Sequence, residues 1–261
     1  MVWLHPVIAR FGSVELYTYG LLLGIGFIVA GTLAAREAGR RGHDPDEIYY
    51  FMIVSFILGV VLSRALYVLL NWSEYAGNPL LIFNTRSGGM TIHGALLGGL
   101  IAAVLTSRKM KMTTLELLDI VAIPLPLAQS IGRWGCLFNG CCYGVPTGGS
   151  WGVLTRFAPG LRHPTQIYES VLCFVLFGVL WRIKDRRYNS GVLFALYLVG
   201  YSVIRFAVEF FRDSPKNLAF GMSQAQVGSI AIAAVALVFI AIRSRARIRQ
   251  GSPDPNSEPR Q

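Results

Sequence analysis

Seven apolar runs, near residues 15 to 35, 48 to 70, 91 to 107, 115 to 131, 167 to 183, 191 to 211 and 224 to 242, alternate with short connections. A helix needs about 20 residues, at 1.5 Å each, to cross a bilayer. The runs meet that length or come close to it, the third to fifth being short enough to extend or to re-enter partway. None alternates with a period of two, which excludes a membrane β-barrel. With 53% apolar and 15% charged residues, the pattern predicts an all-α polytopic membrane protein of seven transmembrane helices. The formal net charge of +10 does not point to nucleic acid, because the basic residues punctuate the apolar runs instead of gathering on one solvated face.

Those basic residues predict an orientation. One set of connections holds Arg36, Arg40 and Arg41; Arg108, Lys109 and Lys111; Arg182, Lys184, Arg186 and Arg187; and Arg243, Arg245, Arg247 and Arg249. Together these are 14 of the 24 lysines and arginines, and the opposite side has seven. The positive-inside rule places the richer side in the cytoplasm, the N-terminus outside and the C-terminus inside. Residues 1–249 are expected to form a single seven-helix transmembrane domain, followed by a disordered polar tail at 250–261. The N-terminal MVWLHPVIARFG lacks a basic leader and a small-residue cleavage pattern, so the first run is expected to remain as an anchor. No inverted repeat relates the two groups of spans, which counts against a transporter built from symmetric halves.

Hydrophobicity does not account for the stretch Gln129 to Gly144, QSIGRWGCLFNGCCYG. It opens the longest connection, Gly132 to Thr165, an expected functional or partly re-entrant loop on the outer side. Other polar residues fall at matching depth. Arg64 lies about six residues, roughly 9 Å, from the outer end of its span; Arg205 is similarly deep, His93 starts the third span, and Tyr17 and Tyr19 begin the first. An intramembrane arginine costs several kcal/mol unless paired or hydrated. Arg205 and Glu209, four residues apart, can neutralise each other. That pairing leaves Arg64 and Arg133 without an evident partner, and an anion site is the favoured reading, since the arginine fork suits phosphate oxygens.

Other residues admit two readings. His93, in GGMTIHGALLGG, either caps a helix packed closely through Gly94 and Gly98 or acts as a general base kept neutral by nearby arginines. Tyr201 is either part of an interfacial belt or a headgroup ligand, whereas Arg212 reads as a snorkelling charge. His163 reads as structural, with Thr165 capping the fifth span and Glu169 available as a buried partner for an arginine. Cys136, Cys141 and Cys142 read as small apolar packing or as a disulfide. They fit no zinc spacing, and redox catalysis lacks a supporting motif.

Several of these pieces, in this order, resemble the prolipoprotein diacylglyceryl transferases: GGMTIHG, GRWGCLFNGCCYG, RHPTQIYE and GYSVIRFAVEFFR. The similarity runs over nearly the whole chain. It implies an inner-membrane enzyme that moves the diacylglyceryl group of phosphatidylglycerol to the lipobox cysteine thiol of a prolipoprotein, releasing glycerol 1-phosphate. By the resemblance, His93, Arg133 and Arg205 are catalytic, and Tyr19, Arg64, Asn139, Gly144, Tyr201 and Glu209 bind substrate. No metal or organic cofactor is implied, and the partners are the two substrates and membrane lipids. Some members carry Asn at the position of Cys136 and Glu with apolar residues at Cys141 to Tyr143. A lipid hydrogen bond is thereby put in doubt, and a disulfide or a different headgroup selectivity becomes open. The rival functions are a channel or transporter for a phosphorylated anion and a membrane thiol oxidoreductase.

Overall fold

The computed structural model describes residues 6–11, 14–84 and 88–251, apart from the side chains of Phe11, Val14, Ala219 and residues 246–251. Its elements run in the order β1 (Val7–Phe11), β2 (Val14–Tyr17), α1 (Thr18–Arg40), α2 (Pro45–Leu70), α3 (Trp72–Tyr75), α4 (Ile92–Ser107), α5 (Thr114–Ala122), α6 (Leu125–Asn139), β3 (Val153–Thr155), β4 (Ala158–Arg162), α7 (Thr165–Ile183), α8 (Val192–Val208) and α9 (Gln224–Gly251). Short 3₁₀ turns occupy Pro79–Phe83 and Ala219–Gly221. Each of the seven apolar runs is largely helical. Four helices, α1, α2, α7 and α9, are long and apolar enough to cross a membrane. The bent pair α5 and α6, at 51°, makes a fifth candidate. The remaining two, α4 and α8, have 16 and 17 residues.

The chain divides into two compact units, residues 1–30 with 121–261, and residues 31–120. In the second unit, Asp44 caps α2 by accepting from the Asp46 amide at 3.0 Å, and Pro45 supplies the fixed φ of a first helical residue. Thr91 caps α4 by accepting from the Gly94 amide at 3.3 Å. Helices α2 and α4 meet backbone to backbone. A Cβ at Gly94 would stand 2.3 Å from the Leu62 carbonyl oxygen, and one at Gly98 would stand 2.6 Å from that of Leu58. The expected close packing through these glycines is therefore present, and it draws the start of α4 onto Ser63. Ser63 Oγ donates to the Thr91 carbonyl at 2.7 Å.

In the first unit, α7 packs between α6 and α8, and α9 packs on α8. Ala122, Leu180 and Tyr197 form one buried cluster, and Cys173, Ile204 and Val208 form another. Helix α6 ends in a left-handed Gly140 (φ 74°) whose amide bonds back to the Cys136 and Leu137 carbonyls. Such a cap suits glycine, which has no Cβ to clash in that conformation.

Three expectations need adjusting. The chain before α1 forms a β1–β2 hairpin, so the first run begins as strand. The polar connection does not start at Gly132, because α6 continues to Asn139. Thr165 does not cap α7; it is the first helical residue, and its hydroxyl donates to the Cys142 carbonyl at 2.6 Å. Helix α9 ends at Gly251, and the rest of the expected tail, residues 252–261, lies outside the described residues.

Candidate functional site

Arg133 projects from the last part of α6, where Gly132 and Gly135 permit close approach of α1. A Cβ at Gly135 would lie 3.2 Å from Tyr19 Cα. Across on α7, Glu169 is only 1% exposed. Its Oε1 accepts from Arg133 Nη2 at 2.5 Å and from the Tyr201 hydroxyl at 3.0 Å. The Tyr201 ring stacks on Tyr197, centroids 6.1 Å apart, and the Tyr197 hydroxyl accepts from Gln129 Nε2 at 2.9 Å. Three helices thus contribute to one polar cluster, and removing either Arg133 or Glu169 alone would strand the other's charge.

One turn beyond Tyr201 on α8 stands Arg205, paired with Glu209 at 2.5 Å. The contact is an ion pair without the alignment of a hydrogen bond, since neither atom has a hydrogen-bond partner. Glu209 is 1% exposed and also accepts from Ser214 Oγ at 2.5 Å. The expected Arg205–Glu209 pairing is present. The expectation that Arg133 lacks a partner is overturned by Glu169, whose carboxylate faces α6.

Arg64, in the other unit, is a different object. Its Nε donates to the Ile82 carbonyl, Nη1 to those of Gly88 and Gly89, and Nη2 to those of Leu81 and Asn84, all within 3.0 Å. Five guanidinium N–H groups meet five carbonyls, so all its donors are committed. Tyr75 and Tyr67 add their rings at 5.3 and 5.9 Å. Arg64 was expected to want an anion; the loop after α3 has already satisfied it. By contrast, Arg133 and Arg205 are each 18% exposed at the side chain. Among the described residues, the Nε atoms of both, and Nη2 of Arg205, make no hydrogen bond. His93, the second residue of α4, is exposed.

The loop after α6 is knit to the ends of α7 and α8. Asn139 Oδ1 accepts from Arg156 Nη2 at 3.2 Å, and the Gly144 amide donates to the His163 carbonyl at 2.9 Å. A Cβ at Gly144 would fall 2.4 Å from the Phe211 carbonyl oxygen and 2.8 Å from that of His163. Because both obstacles are backbone, Gly144→Ala is expected to destabilise the loop by about 1–3 kcal/mol. A lower midpoint in thermal unfolding checks this. His163 is structural, its Nδ1 3.1 Å from the Tyr168 hydroxyl and its ring against Phe211. Cys136, Cys141 and Cys142 converge beside Arg133. Hydrogen bonds from the Cys136 and Cys141 thiols pull the Cys142 thiol well below its usual range; burial opposes this, and Arg212 and Arg133 assist it.

A model of prolipoprotein diacylglyceryl transferases matches residues 6–242. The chain belongs to the prolipoprotein diacylglyceryl transferase family. It is 35% identical over 231 residues to phosphatidylglycerol–prolipoprotein diacylglyceryl transferase 2 of Clostridium perfringens (strain 13 / Type A), covering 87% of this chain and 90% of the relative. Identity to the phosphatidylglycerol–prolipoprotein diacylglyceryl transferase of Geobacter sulfurreducens is 35% over 255 residues, 94% of this chain and 97% of the relative. The corresponding protein of Clostridioides difficile is 36% identical over 220 residues, 84% and 87% of the two chains.

In this family member, Arg133, Tyr201, Arg205 and Glu209 gather in one unit together with Tyr19, Asn139 and Gly144, while Arg64 and His93 belong to the other unit. Sequence reasoning undervalued Glu169, which organises Arg133 and Tyr201 at once. Its signal was a carboxylate early in an apolar helix, a costly placement without a cationic partner. Gln129 and Ser214 carried no comparable signal, because uncharged polar residues at helix ends are common.

Proposed function

We propose that this chain transfers the diacylglyceryl group of phosphatidylglycerol to the lipobox cysteine of a prolipoprotein. The carrying observation is that Arg133 and Arg205 are each fixed by a buried carboxylate yet keep donors for a further anion. The phosphate of phosphatidylglycerol is an anion of the matching kind. In the step proposed, the substrate thiolate attacks the terminal glycerol carbon of the diacylglyceryl group. A C–S thioether bond forms, the C–O bond to phosphate breaks, and glycerol 1-phosphate leaves with the bonding pair. His93 accepts the thiol proton as general base, since a thiol with a pKa near 8.5 is a poor nucleophile until ionised. Arg133 and Arg205 hold the phosphate and stabilise the charge that grows on it.

The remaining residues position these groups. Tyr201 and Glu209 orient the arginines, Tyr19 and Asn139 contact the headgroup, and Gly144 lets the loop close. Arg64 contributes by holding its loop in shape. Both substrates are tethered to one membrane, which raises their effective concentration. The seven apolar segments are read as seven spans of the bacterial inner membrane, N-terminus outside and C-terminus cytoplasmic. The reaction then takes place towards the outer leaflet, where the exported substrate emerges. The basic connections support this orientation.

The test is incubation of the purified protein with phosphatidylglycerol and a lipobox peptide, followed by mass spectrometry. A diacylglyceryl adduct on the peptide cysteine, with stoichiometric glycerol 1-phosphate, is expected. A peptide left unmodified while the protein is folded would sink the proposal. In the same assay His93→Gln should lower the transfer rate by about 100-fold or more, and an unchanged rate and pH profile would remove His93 as the base.

A further inference from the structure

Three thiols play no part in the transfer chemistry above. Cys136, Cys141 and Cys142 are free, and their sulfurs all lie within 4.8 Å of one another. The spacing of these residues is not a zinc motif, so their convergence comes from the backbone. Gly140 and then Cys142 adopt positive φ, 74° and 64°, which turns the chain back on the end of α6. The Cys141 amide donates to the Cys136 carbonyl at 3.1 Å. From the start of α7, Gln166 Nε2 and Thr165 Oγ1 donate to the Cys141 and Cys142 carbonyls, each at 2.6 Å. A non-glycine residue at positive φ costs about 1–3 kcal/mol and persists only where its surroundings over-determine it, commonly at functional sites.

We propose that Cys136, Cys141 and Cys142 bind one zinc ion through three thiolates, leaving a fourth position open. Tetrahedral Zn–S bonds of about 2.3 Å set sulfurs roughly 3.8 Å apart, so an inward movement of at most about 1 Å completes the site. A disulfide would use two of the sulfurs at about 2.05 Å and strand the third. Binding releases the three thiol protons and leaves one net negative charge on the metal and its ligands. Arg133 Nη1, 4.0 Å from Cys136 Sγ, is placed to offset it. Cys136 is buried whereas Cys141 and Cys142 are partly exposed, so the open position faces outward, as it does in zinc sites with three protein ligands. The ion would tie the end of α6 to the loop that leads to Gly144. This assignment stands independently of the transfer activity.

Zinc content of the full-length protein, purified without chelator, is the measurement. About one zinc per chain is expected for the parent and for Cys173→Ser, and a drop of about tenfold or more for the combined C136S, C141S and C142S variant. Should that variant fail to fold, the parent protein decides the matter alone. Cobalt(II) added to metal-free protein should give thiolate-to-cobalt charge-transfer absorption, and zinc should slow alkylation of the partly exposed Cys141 and Cys142 in denaturant-free buffer. Negligible zinc with no cobalt band, or a disulfide within the trio on peptide mapping, would overturn the assignment.

Discussion

Replacing Arg133 by glutamine is expected to lower kcat/KM for diacylglyceryl transfer by about 100-fold or more, the usual scale for removing one preorganised donor from a developing oxyanion. The same change leaves Glu169, 1% exposed, with Tyr201 as its remaining donor in the triad. Breaking a buried ion pair from one side costs about 3–5 kcal/mol, so lost activity alone would not separate catalysis from folding. Combining Arg133→Gln with Glu169→Gln removes both charges and leaves two amides able to bond to each other. The double variant should regain much of the thermal stability and none of the activity. Transfer restored along with stability would show that Arg133 serves the fold and not the phosphate.

Arg64→Leu should act in the opposite way, through structure first. Five carbonyls from Leu81, Ile82, Asn84, Gly88 and Gly89 would lose the guanidinium together, and of these Leu81 keeps the Asn84 amide. Each buried polar group left unsatisfied costs about 1–3 kcal/mol, with water recovering part of it at a loop. A net destabilisation of about 3–5 kcal/mol is therefore expected, together with faster proteolysis between Gly77 and Met90. Arg64→Lys should rescue little, because an ammonium has three donors around one point whereas the guanidinium spreads five in a plane. Protection of the loop in Arg64→Leu, with only the KM for lipid raised, would make Arg64 a direct ligand instead.

These two arginines show what the sequence made legible and what it did not. Length and hydrophobicity marked the apolar segments that are largely helical, because burial in lipid leaves a long uninterrupted signal. Arg205 and Glu209 were readable as a pair because a four-residue separation is a local property of one helix. Which arginine Glu169 pairs with, and what satisfies Arg64, were not readable, for two reasons. Glu169 lies 36 residues away, and tertiary pairing leaves no periodic trace. The carbonyls around Arg64 belong to the backbone, which every sequence supplies and no residue letter records. The cysteine convergence was hidden likewise, since it depends on Cys142 taking a conformation that cysteine rarely adopts.

The lengths of α4 and α8 bear on how a headgroup reaches the chemistry. As proposed spans of 16 and 17 residues, they extend about 24 and 26 Å, against a hydrocarbon layer of about 30 Å. Hydrophobic mismatch of that sign draws the interface inward, at a cost of fractions of a kcal/mol per ångström. His93 lies at the start of one short helix and Arg205 in the last turn of the other. Around each, the bilayer would dimple, so a lipid phosphate could descend to these residues while remaining in contact with water. Local thinning, set by helix length, would thus lower the barrier to bringing a charged headgroup to reacting groups placed several ångströms below the ordinary membrane surface.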